Sequence, residues 1–168
     1  MIVSLRLTIN SNNERHDAFD GGVMSYQAMP APRLVPYMAP DSPYDRLLLY
    51  AIRRMAAGGI DDAHAAHAIF TACGLGFRRP LVLVRALMAE LARIASTKLL
   101  VAPCCCPRMT ADEHMLLGAI GCAELKAREA HDRLCDLLHV EHCLGLLTSA
   151  QAVGSSFADL GMPLGKRG

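Results

Sequence analysis

Three consecutive cysteines stand in the stretch VAPCCCPRMTADEH, residues 101–114, with a proline on either side of the triplet. Thiolates bind transition metals and attack electrophiles, so this stretch is the first candidate for chemistry. Proline biases the residue before it toward extended backbone, and in an extended run alternate side chains share a direction. We therefore expect Cys104 and Cys106 to face one centre together, while Cys105 faces away.

A predicted helix start just after the triplet favours the reactive form of these thiols. Thr110 and Glu113 have the spacing of a capping box, in which each side chain accepts a hydrogen bond from the other residue's backbone amide. The positive end of that helix and the nearby guanidinium of Arg108 are both expected to lower the pKa of a neighbouring thiol. The loop is thus predicted to present thiolates.

A metal centre at the triplet needs about two ligands from elsewhere in the chain. His64 and His67 are one candidate pair, because positions i and i+3 share a helix face. A second candidate set lies nearer the end of the chain: His139 with His142 or Cys143. The spacing matches no zinc finger, and no CxxC motif is present. The sequence-based assignment is a site for zinc or another transition metal, formed by Cys104, Cys106, His64 and His67.

The triplet also fits a redox role. An exposed cysteine of low pKa beside a resolving cysteine is the arrangement of a thiol sensor, and adjacent cysteines supply both partners. Cys104, Cys105 and Cys106 are therefore candidate redox thiols as well as candidate ligands. Free cysteines, however, are often simply buried and packed. That role is predicted for the three cysteines at helical positions: Cys73, Cys122 and Cys135.

The elements that must position these residues follow from apolar periodicity, which is helical from about residue 43 onward. No repeat and no alternation of strands with helices is visible, so we predict an all-α, compact single-domain bundle of about five or six short helices. The predicted helices are Pro43 to Ala57, Asp62 to Cys73, Pro80 to Ile94, one from Thr110 through Ile120, Lys126 to Leu138, and one from Thr148 through Leu160.

Local signals refine these helices. Asp61 is a plausible N-cap for the second helix, and Thr148 with Gln151 repeats the capping-box spacing at the start of the last. The basic pair Arg53-Arg54 is expected on a solvated helix end.

The first part of the chain differs in composition from the rest. Residues 1–42 contain a polar run and many prolines, which predicts a poorly structured, irregular N-terminal arm. The helical domain then spans residues 43–164, and residues 165–168 form a C-terminal tail. Residues 3–9 alternate apolar and polar side chains as a strand does, but a sheet would need a partner strand from another chain.

Charge and cysteine content bound the function further. The 168 residues carry a formal net charge of +1, so no nucleic-acid or membrane partner is expected. Seven cysteines without an export signal predict a cytoplasmic location with reduced thiols. No phosphate-binding loop, dinucleotide fingerprint or nucleophile elbow occurs, which argues against a familiar enzyme. The alternative function is a non-catalytic helical interaction module, acting as a homodimer or as an adaptor for another protein, with structural cysteines.

Three stretches together resemble a small bacterial family of uncharacterised helical proteins: DDAHAAHAIFTACGLGFRRPLVLVRALMAELARI, VAPCCCPRMTADE and LGLLTSAQAVGSSFADLG. The likeness covers about residues 44–164. It implies a helical fold and no assigned activity, so the predicted chemistry rests on the residues themselves.

Overall fold

A computed structural model describes residues 3–5 and 35–165. Within the second range the chain forms six α-helices, which confirms the predicted compact all-α fold. The helices are α1 (Pro43–Gly58), α2 (Ala63–Cys73), α3 (Arg78–Ile94), α4 (Ala111–Cys122), α5 (Ala127–Leu138) and α6 (Leu144–Ala158). Most of the predicted arm and nearly all of the predicted tail lie outside the described residues, so the division at residues 42 and 164 stays a prediction.

The first two helices begin at side-chain caps. Ser42 accepts a hydrogen bond from the amide of Asp45 at the start of α1. Asp62 accepts from the amide of Ala65 at 2.8 Å, which makes it the N-cap of α2. The predicted cap, Asp61, is therefore wrong by one residue, because Asp62 has the extended backbone and the inward position that a cap requires.

The third helix has the buried stripe that its sequence predicts. Val84, Leu87, Met88 and Leu91 are almost completely inaccessible to solvent, and Pro80 lies in the first turn, where its missing N–H costs nothing. This stripe packs mainly against α6 and forms one side of the core.

The start of α4 is the predicted capping box. The Thr110 hydroxyl accepts from the amide of Glu113, and the Glu113 carboxylate accepts from the amide of Thr110 at 2.9 Å. The second predicted box is wrong: α6 begins at Leu144, and the Thr148 hydroxyl inside it donates to the Leu144 carbonyl at 2.9 Å. Leu146, two residues before Thr148, is fully buried in the core, and the helix that carries it begins at Leu144.

Short strand pairs join the helices. Val3–Leu5 (β1) pairs antiparallel with Leu99–Val101 (β3), and Tyr37–Met38 (β2) pairs antiparallel with Arg108–Met109 (β4). The expectation that residues 3–9 would need a strand from another chain is wrong for residues 3–5. The partner strand has only three residues, too few to show a period of two in the sequence.

The end of the described chain packs closely on α4. A Cβ placed on Gly121 would lie 2.8 Å from the Cα of Gly165, so both positions need glycine's missing side chain. Gly165 has a positive φ of 74°, and its amide donates to the Asp45 carboxylate at 3.0 Å. None of the helices in the described residues is sufficiently long and apolar to cross a membrane.

Candidate metal centre

Three side chains of metal-ligand type converge where α5 gives way to α6. One donor atom each from His131, Cys135 and Cys143 lies within 4.8 Å of the other two. Within residues 3–5 and 35–165 this is the one group of three histidine, cysteine or acidic side chains that meets this criterion. It is therefore the candidate metal centre.

Helix α5 supplies two of these side chains from one face. His131 and Cys135 are separated by four residues, which places them one turn apart. Each directly follows a fully buried residue, Ala130 and Leu134. The two donors therefore lie at the edge of the buried face, where they are half-buried beside the core rather than surrounded by solvent.

A sharp turn after α5 brings the third side chain back. His139 caps the helix in the left-handed conformation, with φ at 53°, and the amide of Val140 donates to the carbonyl of Cys135 at 3.1 Å. The chain then reaches Cys143, the residue immediately before α6, after only three further residues. The thiol of Cys143 thus returns to the face of α5 that carries His131 and Cys135.

Cys135 is in contact with both of the other donors. The two Sγ atoms are 3.2 Å apart, and Nε2 of His131 is 3.6 Å from the Sγ of Cys135. The amide of Cys143 donates to the same Nε2 at 3.4 Å, which assigns the ring proton to Nδ1. Nδ1 lies 3.6 Å from the carboxylate of Asp132. Nε2 therefore carries the lone pair, which the Cys143 amide engages and which a metal ion would have to take over.

Burial differs across the group. Cys143 is 4 % exposed, whereas the side chain of His131 is 20 % exposed. The pKa of the Cys143 thiol is raised to about 12, mainly because the thiol is buried and to a lesser extent because of its hydrogen bond with Cys135. The metal-free thiol is thus neutral, and a metal ion must displace its proton to bind. The group is closed on the core side and open on the side of His131.

Two of the three donor separations are close to those around a tetrahedral ion, and the third, between Cys143 and His131, lies within 4.8 Å. Ligands bonded at about 2.3 Å for sulfur and about 2.1 Å for nitrogen lie about 3.5–3.8 Å apart around such an ion. The separation between His131 and Cys135 already matches this range. The two thiols would need to separate by about half an ångström. His139, Glu141 and His142 are exposed donors in the connecting segment.

The cysteine triplet has a different geometry from the predicted one. The amide of Cys106 donates to the carbonyl of Pro103 at 2.9 Å, so residues 103–106 form a turn rather than an extended run. Cys105 is exposed, while Cys104 and Cys106 are half-buried. The backbone premise of the sequence prediction is therefore wrong. The assignment of Cys104, Cys105 and Cys106 as redox thiols stays a prediction.

A buried arginine holds this turn in place. Arg53 is 4 % exposed, and its guanidinium donates to the carbonyls of Cys106 and Arg108 at 2.8 and 2.7 Å. The expectation that Arg53 would be solvated is wrong, because it lies on the inner face of α1 and pairs with Glu113. The guanidinium of Arg108 donates instead to the carbonyls of Val35 and Pro36.

The predicted histidine ligands are on the surface of α2. His64 and His67 are both exposed, and neither belongs to a group of three donors with Cys104 or Cys106. Nδ1 of His64 is 2.9 Å from the guanidinium of Arg54. Asp62 above all, with a smaller contribution from Cys104, raises the pKa of Arg54. The charge of Arg54 is paired with the carboxylate of Asp62, and the assignment of Cys104, Cys106, His64 and His67 as metal ligands stays a prediction.

The assignment from sequence does not contain this group of three. It gives His131 no role, predicts that Cys135 is packed, and names Cys143 only in the second candidate set. A usable signal was present: a histidine and a cysteine four residues apart on one predicted helix, followed by a second cysteine after a short connection.

A separate cleft of about 420 Å³ lies between residues 37–42 and α4. The rings of Tyr37 and His114 stack in its wall with centroids 4.0 Å apart. The cleft shares no lining residue with the cluster of His131, Cys135 and Cys143.

Comparison with known proteins relates the chain to a protein family. A family model described as "Family of unknown function (DUF6628)" matches residues 37–167, which confirms the resemblance to an uncharacterised family. No curated protein and no solved structure matches the chain.

Proposed function

The chain belongs to the family of unknown function DUF6628, and we propose that it binds a transition-metal ion through His131, Cys135 and Cys143. One observation carries this proposal: three donors, two from α5 and one from the segment that follows it, converge within 4.8 Å. Two of them, Cys135 and Cys143, are eight residues apart in sequence, so the fold rather than local sequence brings them together.

The donor set selects the class of metal. Two thiolates and one imidazole are soft or borderline ligands, which favour Zn²⁺ and other thiophilic ions over Mg²⁺ or Ca²⁺. Zn²⁺ binds such ligands tetrahedrally and needs no redox chemistry. Zinc is therefore the ion to test first.

The position of the site indicates what the ion would do. A metal ion bound here would link α5 to Cys143, the residue directly before α6. The connecting segment between them starts at His139. Such a link stabilises the folded state because the unfolded chain lacks the preformed site. Three protein ligands leave one tetrahedral position, and a histidine of the connecting segment in that position would complete the closed coordination of a structural ion, whereas water would leave the open position of a catalytic one. Because the ion would link α5 to the start of α6, we infer a structural or regulatory ion.

Equilibrium zinc titration of the metal-stripped, tag-free full chain tests this function. We expect one tightly bound equivalent in the wild type, and loss of tight binding in Cys143→Ser and His131→Ala. Cys122→Ser is the control, because that thiol is half-buried in a helix, as Cys135 is, and its hydrogen bond goes to the carbonyl of Ala119. A Cys104→Ser/Cys106→Ser double variant tests the site predicted from sequence. Binding that follows this double variant, or no tight binding at all, contradicts the proposal.

A second candidate function is that of an interaction module. Phe70, Leu75 and Val82 lie around the junction of α2 and α3, and they are 47 %, 97 % and 61 % exposed. Exposed apolar side chains of this size are common at protein contacts, which favours self-association through this junction. Molar mass in solution should then fall from dimer to monomer in Leu75→Ser. A monomeric wild type contradicts self-association.

A further inference from the structure

We propose that Cys135 and Cys143 are a modification site, at which a hydroperoxide oxidises the two thiols to an intramolecular disulfide. Their Sγ atoms are already 3.2 Å apart, whereas a disulfide bond is about 2.05 Å long. The sulfurs need to approach by little more than about 1 Å, a distance that side-chain rotation can supply. The pair is thus positioned for bond formation without a rearrangement of the fold.

Burial assigns a role to each thiol. Cys135 is half-buried and in reach of solvent, whereas Cys143 is 4 % exposed. A dissolved peroxide therefore meets Cys135 first, and Cys143 then acts as the resolving thiol. Cys143 precedes α6 rather than lying inside it, so its side chain is not fixed by helical neighbours on both sides.

The reaction balances with the peroxide as the only oxidant. The sulfur of Cys135 attacks the peroxide oxygen, the O–O bond breaks, and a sulfenic acid and one water form. The sulfur of Cys143 then attacks the sulfenic sulfur, the S–O bond breaks, and the S–S bond and a second water form. Two thiols lose two electrons and two protons, and hydrogen peroxide is reduced to two waters.

The triplet provides an internal competitor. Cys104, Cys105 and Cys106 are adjacent in sequence, and a disulfide between neighbouring residues is strained. Cys105 is the more exposed thiol, so peroxide reaches it at least as readily as Cys135. The geometry therefore makes a specific claim: the disulfide forms at Cys135 and Cys143 although a more accessible cysteine exists.

Oxidation also bears on metal binding, and this part of the inference rests on the proposed function. A disulfide removes two of the three ligands and leaves only His131. The oxidised chain should lose its bound ion, and a bound ion should slow the oxidation, because its thiolates are already shared with the metal. The site would then exchange between a metal-bound state and a disulfide state.

The decisive test uses the metal-stripped full chain, treated with hydrogen peroxide and digested without reduction. With a protease that cleaves after Glu141, or after Asp136, we expect a cross-linked peptide pair joining Cys135 to Cys143 as the major disulfide, in the wild type and in Cys122→Ser. The intact mass should fall by two hydrogen atoms, and this loss should disappear in Cys135→Ser and Cys143→Ser. Predominant cross-links within Cys104–Cys106, or sulfinic acids without a cross-link, would overturn the inference.

A second arm separates this inference from the proposed function. The same oxidation is repeated with protein loaded with Zn²⁺, and released zinc is measured with a chromogenic chelator. Slower oxidation with release of zinc supports the exchange between the two states. Oxidation at an unchanged rate despite bound zinc overturns that exchange. If the protein binds no zinc, the proposed function fails, while the metal-free arm still decides whether the disulfide forms.

Discussion

Arg53 and Glu113, sixty residues apart in the sequence, form a bidentate ion pair in the interior of the protein. Nε donates to one carboxylate oxygen at 2.7 Å and Nη2 to the other at 2.9 Å. Glu113 also accepts hydrogen bonds from the amides of Ala102 and Thr110. This pair connects α1, the cysteine turn and the start of α4.

Removing the charge of Glu113 should therefore be costly. In Glu113→Gln the Arg53 guanidinium stays buried without a counter-charge, and loss of one partner of such a pair costs about 3–5 kcal/mol. Urea unfolding measures this difference. Asp159→Asn is the control, since its pair with Arg79 is exposed and should contribute less than about 1 kcal/mol. Equal losses in the free energy of unfolding for the two substitutions would contradict a larger stabilisation by the buried ion pair.

The two threonines that the sequence presents as caps should differ in their effect on stability. Thr110→Ala removes a true N-cap and the hydrogen bond from its hydroxyl to Leu100, so we expect a cost of about 1–2 kcal/mol. Thr148→Ala removes a hydroxyl that donates within an existing helix, and its effect should stay within about 0.5 kcal/mol. Thermal unfolding of both variants gives the comparison. A larger loss in Thr148→Ala contradicts the observed start of α6.

The left-handed conformation of His139 should make it a site for stabilisation. This conformation is unfavourable by about 1–2 kcal/mol for a residue with a Cβ. Glycine has no such steric penalty, although it loses more chain entropy on folding. We expect His139→Gly to raise the free energy of unfolding of the metal-free protein by about 0.5–1 kcal/mol. His142→Gly is the control. A destabilised His139→Gly would indicate contacts of the imidazole that outweigh the backbone strain.

Acid should weaken the connection between α1 and α2. The guanidinium of Arg54 above all, with the amide of Ala65, lowers the pKa of Asp62 below its ordinary value of 3.8. This contribution is complete above pH 3.8 and is lost as pH falls through the pKa of the folded state, because protonation then favours unfolding.

A comparison of variants isolates this carboxylate. The stability advantage of the wild type over Asp62→Asn should hold above pH 3.8 and shrink below it, measured by unfolding at several pH values. Asp61→Asn is the neighbouring control, with a side chain that is 84 % exposed. An advantage over Asp62→Asn that is independent of pH contradicts the role of the ionised carboxylate.

Much of the fold follows from the sequence because helical periodicity is a local property. The stripe from Val84 to Leu91 and the box at Thr110 each depend on residues within a few turns, and both appear as predicted. The predicted start of α6 was wrong because the sequence contains two competing local signals, the candidate cap at Thr148 and the apolar residues before it. Packing on the core decides between them, and packing is not a local property.

The candidate site was harder to predict because it depends on how the chain returns on itself. The spacing of His131 and Cys135 on one helix is a local signal, but the third donor, Cys143, joins them only because the turn at His139 brings the chain back to α5. The cysteine triplet is the reverse case, because its composition predicts a site but its geometry depends on a distant residue. The buried Arg53 donates a hydrogen bond to the carbonyl of Cys106, and the triplet lies in a turn.

The absorption spectrum of the protein loaded with Co²⁺ tests the central claim most directly, because the thiolate-to-cobalt charge-transfer band reports how many sulfurs bind the ion. The wild type should show the band of a tetrahedral site with two thiolates. Cys135→Ser and Cys143→Ser should each lose most of its intensity, because neither variant keeps the donors for tight binding, and the Cys104→Ser/Cys106→Ser variant should retain it. A wild type without this band, or a band that disappears only with Cys104 and Cys106, would contradict a metal centre at His131, Cys135 and Cys143.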